Sequence, residues 1–171
     1  MVFLFCEVIN LRFFEKISKE EFKKYFDESL YDSYMLPKRA TKNSAGYDFF
    51  AINDYTIKPG EIIKLPTGYK AAFNNNEVLM IFVRSSMGFK WNVRLTNQVG
   101  IVESDYYNNI DNEGHIFVSL QNEGDKDYVI KKNTAYCQAV FMKFLVTDDD
   151  KTDNIRVGGI GSTNNLERGK E

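Results

Sequence analysis

A chain of 171 residues with 43% apolar and 27% charged side chains carries enough apolar material for one domain with a sizeable core. Its net charge of -2 gives no global basic field, which excludes general nucleic-acid binding and leaves phosphate recognition to a local cluster. With one histidine, His115, and two cysteines, Cys6 and Cys137, there is no His/Cys zinc set, and a Ser-His-Asp triad would need His115 as its base. Acid-base work at neutral pH then falls to carboxylates.

The opening MVFLFCEVIN lacks a basic start and is interrupted by Glu7 and Asn10, so neither a signal peptide nor a membrane span is expected. The cytoplasm is the expected compartment. Residues 2–9 read as a strand, and both cysteines sit in apolar strand-like runs as small buried hydrophobes. Ser18 and Glu21 form a capping-box pattern ahead of Phe22, Tyr25 and Phe26, whose helical spacing predicts a short amphipathic helix packed on the body. LPKRATKN, from Leu36 to Asn43, reads as a loop.

Short strands follow: GYDFFA, EIIKL after the Pro59-Gly60 turn, GYKAAF, EVLMIFV, NVRL, VGIVE, HIFVSL, DYVIKK and YCQAVFMKFLV. β-Branched and aromatic runs separated by Gly, Asn and Asp clusters predict an all-β barrel or sandwich. His115 is expected to start HIFVSL as a structural residue. Asp148 to Asp153 reads as a solvated linker, and RVGGIGSTN behind it as a mobile glycine-rich arm.

The chemistry is expected around residues 97–110, NQVGIVESDYYNNI, which combine an apolar run, two carboxylates and a tyrosine pair. Val99 to Val102 reads as a short buried strand, and Glu103 and Asp105 share one side if that strand continues. Arg84, Ser85, Ser86 and Gly88 place a cation, two hydroxyls and a flexible turn at the end of EVLMIFV, a set suited to phosphate oxygens. The tail repeats that chemistry in Arg156, Gly158, Gly159, Gly161, Ser162 and Thr163. Asp48 lies near a Gly turn, and Gln138 is a polar amide in an apolar strand that needs partners.

Together and in this order, PKRATKNSAGYDFFA, RSSMGFK, TNQVGIVESDYYNN, AYCQAVF and RVGGIGSTN resemble the motifs of the trimeric dUTP diphosphatases, in a version similar to that of Gram-positive bacteria and their phages. The likeness spans about Leu36 to Asn164. It implies an all-β, jelly-roll-like barrel with a short N-terminal helix and a flexible C-terminal arm. Within a single domain over 1–171, residues 1–35 would be an extension, 36–147 the core, and 148–171 the linker and arm.

The resemblance also implies a homotrimer whose sites are shared between chains, dUTP as substrate, and Mg2+ held mainly by the triphosphate. In that reading Glu103 is the catalytic base, Asn97 reads the uracil edge, and Tyr106 packs beneath the deoxyribose. Ser85, Ser86 and Gln138 hold phosphates with Arg84 beside them. Arg156, Ser162 and Thr163 cover the terminal phosphate, with Ile160 and Gly161 in the closing arm, and Asp48 lies near the water shell of the metal.

Two positions depart from the family pattern: Glu103 stands where aspartate is usual, and Ile160 where phenylalanine is common. Losing an aromatic face at Ile160 costs roughly 0.5 to 1.5 kcal/mol. These departures raise an alternative, a nucleotide-binding relative of low activity acting as a regulatory or interaction module. A deoxycytidine triphosphate deaminase of the same superfamily is a further possibility, but no deaminase motif matches.

Overall fold

The computed structural model describes residues 11–156 and 158–161. The strand expected at 2–9, Cys6, and the arm residues Ser162 and Thr163 lie outside the described residues.

Strand β1 (Phe13–Lys16) is followed by helix α1 (Lys19–Phe22), then β2 (Lys38–Arg39), β3 (Tyr47–Phe50), β4 (Tyr55–Ile57), β5 (Ile62–Pro66) and β6 (Tyr69–Ala72). Next come β7 (Glu77–Val83), helix α2 (Ser85–Trp91), β8 (Val93–Leu95), β9 (Gly100–Glu103), β10 (Phe117–Asn122), β11 (Tyr128–Ile130) and β12 (Ala135–Lys143). Hydrogen bonding groups these strands as β1-β6, β5-β10-β8, β11-β4 and β2-β3-β12-β7-β9. The body is therefore β-rich and jelly-roll-like, as the sequence predicts, although the described sheets do not close into one hydrogen-bonded ring.

Strand β7 shows how the sequence sets a face. Glu77, Leu79 and Ile81 alternate inward, and Leu79 and Ile81 are buried with Phe49, Tyr69, Leu120, Tyr136 and Cys137. On either side of β7, β12 pairs Gln138 with Phe82, and β9 pairs Gly100 with Ile81 and Glu103 with Val78. Gly100 lets these strands approach, because a Cβ there would stand 3.0 Å from the Ile81 Cβ.

Three sequence expectations change. Val99 to Val102 is not a buried run: β9 is the sheet's edge strand, and Ile101 is 52% exposed. Part of LPKRATKN pairs with β3 as β2. The segment after β7 is a helix instead of a flexible turn, anchored by buried Met87 and ended by Asn92 in a left-handed conformation.

The N-terminal segment docks as expected but by a different bond. Ser18 Oγ accepts from Glu21 N–H at 3.1 Å, whereas the return bond to the Ser18 N–H comes from Glu113 Oε2 at 3.0 Å. Glu21 turns inward to His115 and Lys24. Phe22 and Phe26 are buried, and the more exposed Tyr25 ring packs edge-on against His115 and Phe117.

Candidate active site

Strand β9 ends at Glu103, and a 3-10 turn over Ser104–Tyr106 follows at once. The strand does not continue to Asp105, yet both carboxylates reach one guanidinium. Arg156 Nη2 donates to Glu103 Oε2 and Nε donates to Asp105 Oδ1, each at 2.9 Å. The Arg156 side chain is only 10% exposed, so this pair of charge-assisted bonds is shielded on the arginine side and open to solvent at the carboxylates.

Tyr106 forms the inner wall. Its hydroxyl donates to the His115 carbonyl at 2.9 Å and accepts from Asn112 Nδ2 at 2.8 Å, while the Arg156 guanidinium lies 5.8 Å from its ring centroid. Burial pushes the Tyr106 hydroxyl above its ordinary pKa, which keeps it neutral. His115 is fully buried; Nε2 accepts from the Gly68 N–H at 3.0 Å, which leaves the proton on Nδ1, 3.4 Å from Glu21 Oε1. Burial lowers its pKa to about 4, so the ring is a neutral strut; His115 is structural as expected, but it precedes the strand, which begins at Phe117.

Glu103, Tyr106 and Arg156 line a cavity with Asn97, Ile81, Gly100, Ile160 and Gly161. The structure therefore brings Glu103, Asn97, Tyr106, Arg156, Ile160 and Gly161 together. Ile160 supplies an apolar, 69% exposed cover.

A different pocket gathers Asp48, Arg84, Ser85, Ser86 and Gln138 with Ser44 and Gly46. Arg84 Nε lies 3.3 Å from Asp48 Oδ1. Helix α2 begins here, and the first turn of a helix directs its N–H groups outward, beside the Ser85 and Ser86 hydroxyls. Gln138 finds its expected partner in the Val83 carbonyl, at 3.4 Å from Nε2. Gly46 makes room for that amide, since a Cβ there would collide with Gln138 Oε1.

The two pockets lie toward opposite ends of β7. Glu103 pairs with Val78, whereas Arg84 follows Val83 at the far end. Six residue steps, from 78 to 84, separate those positions, roughly 20 Å at about 3.3 Å per step. Within one chain Glu103 and Arg84 are therefore set far apart.

Sequence reasoning missed the loop that organises the acidic end. Buried Asn109 donates from Nδ2 to the Tyr106 carbonyl at 2.8 Å and accepts at Oδ1 from the Asp111 and Asn112 N–H groups at 3.0 and 3.2 Å. Asp111 Oδ2 then accepts from the Gly159 N–H at 2.7 Å. The Asn-rich composition of YYNN signalled a turn; it gave no sign of the arm contact.

A carboxylate held against an arginine, an aromatic floor and a separate cation-hydroxyl-amide pocket define a protein suited to binding and cleaving a phosphorylated ligand. The family model for dUTPase matches residues 32–164. The deoxyuridine 5'-triphosphate nucleotidohydrolase of Lactococcus lactis subsp. lactis is 47% identical over 130 residues, covering 75% of this chain and 87% of that protein. The Desulfitobacterium hafniense enzyme of the same name is 35% identical over 136 residues, with 75% and 86% covered. The crystal structure of the dUTPase from Streptococcus mutans superposes with a TM-score of 0.65 at 42% identity, covering 79% of this chain and 98% of that one. The chain belongs to the dUTPase family.

Proposed function

We propose that this chain hydrolyses dUTP to dUMP and pyrophosphate, with Glu103 as the base. The observation that carries this reading is the cavity in which Glu103, Asn97, Tyr106 and the Arg156 arm converge, in a chain of the dUTPase family. Asn97 and the adjoining backbone pair with the uracil edge, and Tyr106 packs beneath the deoxyribose. A fixed donor-acceptor set rejects cytosine because its mismatched groups would stay buried without partners.

Water attacks the α-phosphorus in line, its proton passes to Glu103, and the bond to the bridging oxygen breaks to release pyrophosphate. Ser85, Ser86, Gln138 and Arg84 hold the phosphates. Arg156, with Ser162, Thr163 and Gly161, closes over the chain's terminal phosphate while Ile160 covers the base. A triphosphate offers Arg156 a bidentate partner that competes with Glu103 and Asp105, so substrate arrival frees the base.

Bound Mg2+ would supply charge neutralisation on the triphosphate. Asp48, in the pocket with Arg84, Ser85 and Ser86, would accept from a water of its shell, because magnesium keeps several waters and binds chiefly substrate phosphates.

The separation along β7 supports a site in which one copy's carboxylate cavity meets another's phosphate pocket, and membership of the dUTPase family supports a homotrimer as that assembly. In this reading 1–35 is an extension, 36–147 the core and 148–171 the linker and arm of one domain. We place the protein in the cytoplasm, acting on free nucleotide and on neither nucleic acid nor membrane; among the described residues no helix is long and apolar enough to cross a membrane.

The test is pyrophosphate release from dUTP, dCTP, dTTP and UTP with and without magnesium. Selective, magnesium-dependent turnover of dUTP is expected. Binding of dUTP without turnover would replace this reading with that of a nucleotide-binding module.

A further inference from the structure

We propose that Asp111 is a positioning residue that seats the C-terminal arm by accepting the Gly159 N–H; this deepens, and rests on, the dUTP-hydrolase reading of the cavity. Asp111 does not line that cavity, and its side chain is exposed. Its position is nevertheless fixed: Asn109 ties the Asp111 N–H to the Tyr106 carbonyl through the two ends of one buried amide. The bond from Gly159 N to Asp111 Oδ2, 2.7 Å long, carries this register to the arm.

The arm converts the register into chemistry. Arg156 Nη1 donates to the Gly159 carbonyl at 3.3 Å, so the placement of residue 159 sets that of the guanidinium facing Glu103 and Asp105. Gly158 and Gly159 are buried against the body, and Ile160 follows directly over the cavity. The same loop thus holds the Tyr106 floor and gauges the position of the lid. Because Asp111 recognises a backbone N–H, the arm needs no particular side chain at 159.

The experiment uses full-length protein with the variants Asp111→Ala, Asp111→Asn, Gly159→Pro and the double variant Asp111→Ala/Gly159→Pro. Losing a hydrogen bond to a charged acceptor is expected to raise the KM for dUTP about tenfold in Asp111→Ala, with kcat changed less than about threefold. Asp111→Asn keeps an acceptor oxygen and should fall between Asp111→Ala and the unmodified chain, which also covers the case in which the alanine variant fails to fold. Proline removes the 159 donor, so Asp111→Ala should add no further loss in that background.

Tryptic cleavage after Arg156, followed by mass spectrometry without nucleotide, should be faster in Asp111→Ala than in the unmodified chain. Unchanged KM and cleavage rate, or an Asp111→Ala loss that persists undiminished beside Gly159→Pro, would overturn the proposal. If the unmodified chain fails to turn over dUTP, the hydrolase reading fails, and the cleavage rate alone decides whether Asp111 seats the arm.

Discussion

Arg156 Nη2 lies 2.9 Å from Glu103 Oε2, placing a cation of the arm directly on the carboxylate proposed as the base. The second bond, from Nε to Asp105, fixes the plane of the guanidinium. In the proposed mechanism, closing the arm and releasing the base are coupled through this one side chain. Arg156→Lys keeps the charge but loses the fork that spans both carboxylates, and is expected to lower kcat/KM roughly tenfold or more. Steady-state kinetics on dUTP check this; an unchanged value would mean that charge alone suffices.

The distance along β7 gives a prediction about subunits. Glu103→Gln and Arg84→Ala proteins should each be nearly inactive. Unfolding and refolding an equal mixture should restore activity in about a quarter of the sites, because a site needs an intact carboxylate from one chain and an intact arginine from another. Absence of recovery would contradict the shared site.

Gln138 and Gly46 can be separated in the same way. A methyl group at 46 collides with the tip of the Gln138 side chain, which can swing away, and stands 3.3 Å from the Gln138 Cβ, a contact relieved by a shift of a few tenths of an ångström. Gly46→Ala should therefore change folding stability by less than about 1 kcal/mol. Binding of a non-hydrolysable dUTP analogue should nevertheless weaken severalfold. Urea unfolding and calorimetric titration distinguish the two effects.

His115 makes stability depend on pH. Its ring is held neutral in the fold with a pKa lowered from 6.5 to about 4, so between those values the unfolded chain binds the extra proton. Its contribution is fully present above pH 6.5 and is lost as pH falls through the window to about 4, by up to ~3 kcal/mol. Denaturant unfolding across this range should show the loss, and His115→Gln should flatten the slope.

Much of this arrangement is legible in the sequence because it rests on local alternation. EVLMIFV predicts β7 with the observed bounds, and the capping pattern at Ser18 predicts the turn that buries Phe22. Helix α2 is not legible: SSMGFKW has one buried apolar anchor, Met87, a glycine at 88 and a 92% exposed Phe89, so no amphipathic stripe forms. Glu103 and Asp105 do share a side, but through a turn and a common arginine instead of through strand alternation. The Asp111 contact is silent in the sequence because its partner is a backbone N–H 48 residues away.

The most direct measurement compares pyrophosphate release from dUTP by the unmodified chain and by Glu103→Gln, alongside calorimetric binding of a non-hydrolysable analogue. Removing the base should slow turnover about 100- to 10,000-fold while binding stays within a fewfold of the original. Turnover by Glu103→Gln at the original rate would contradict the role assigned to this carboxylate.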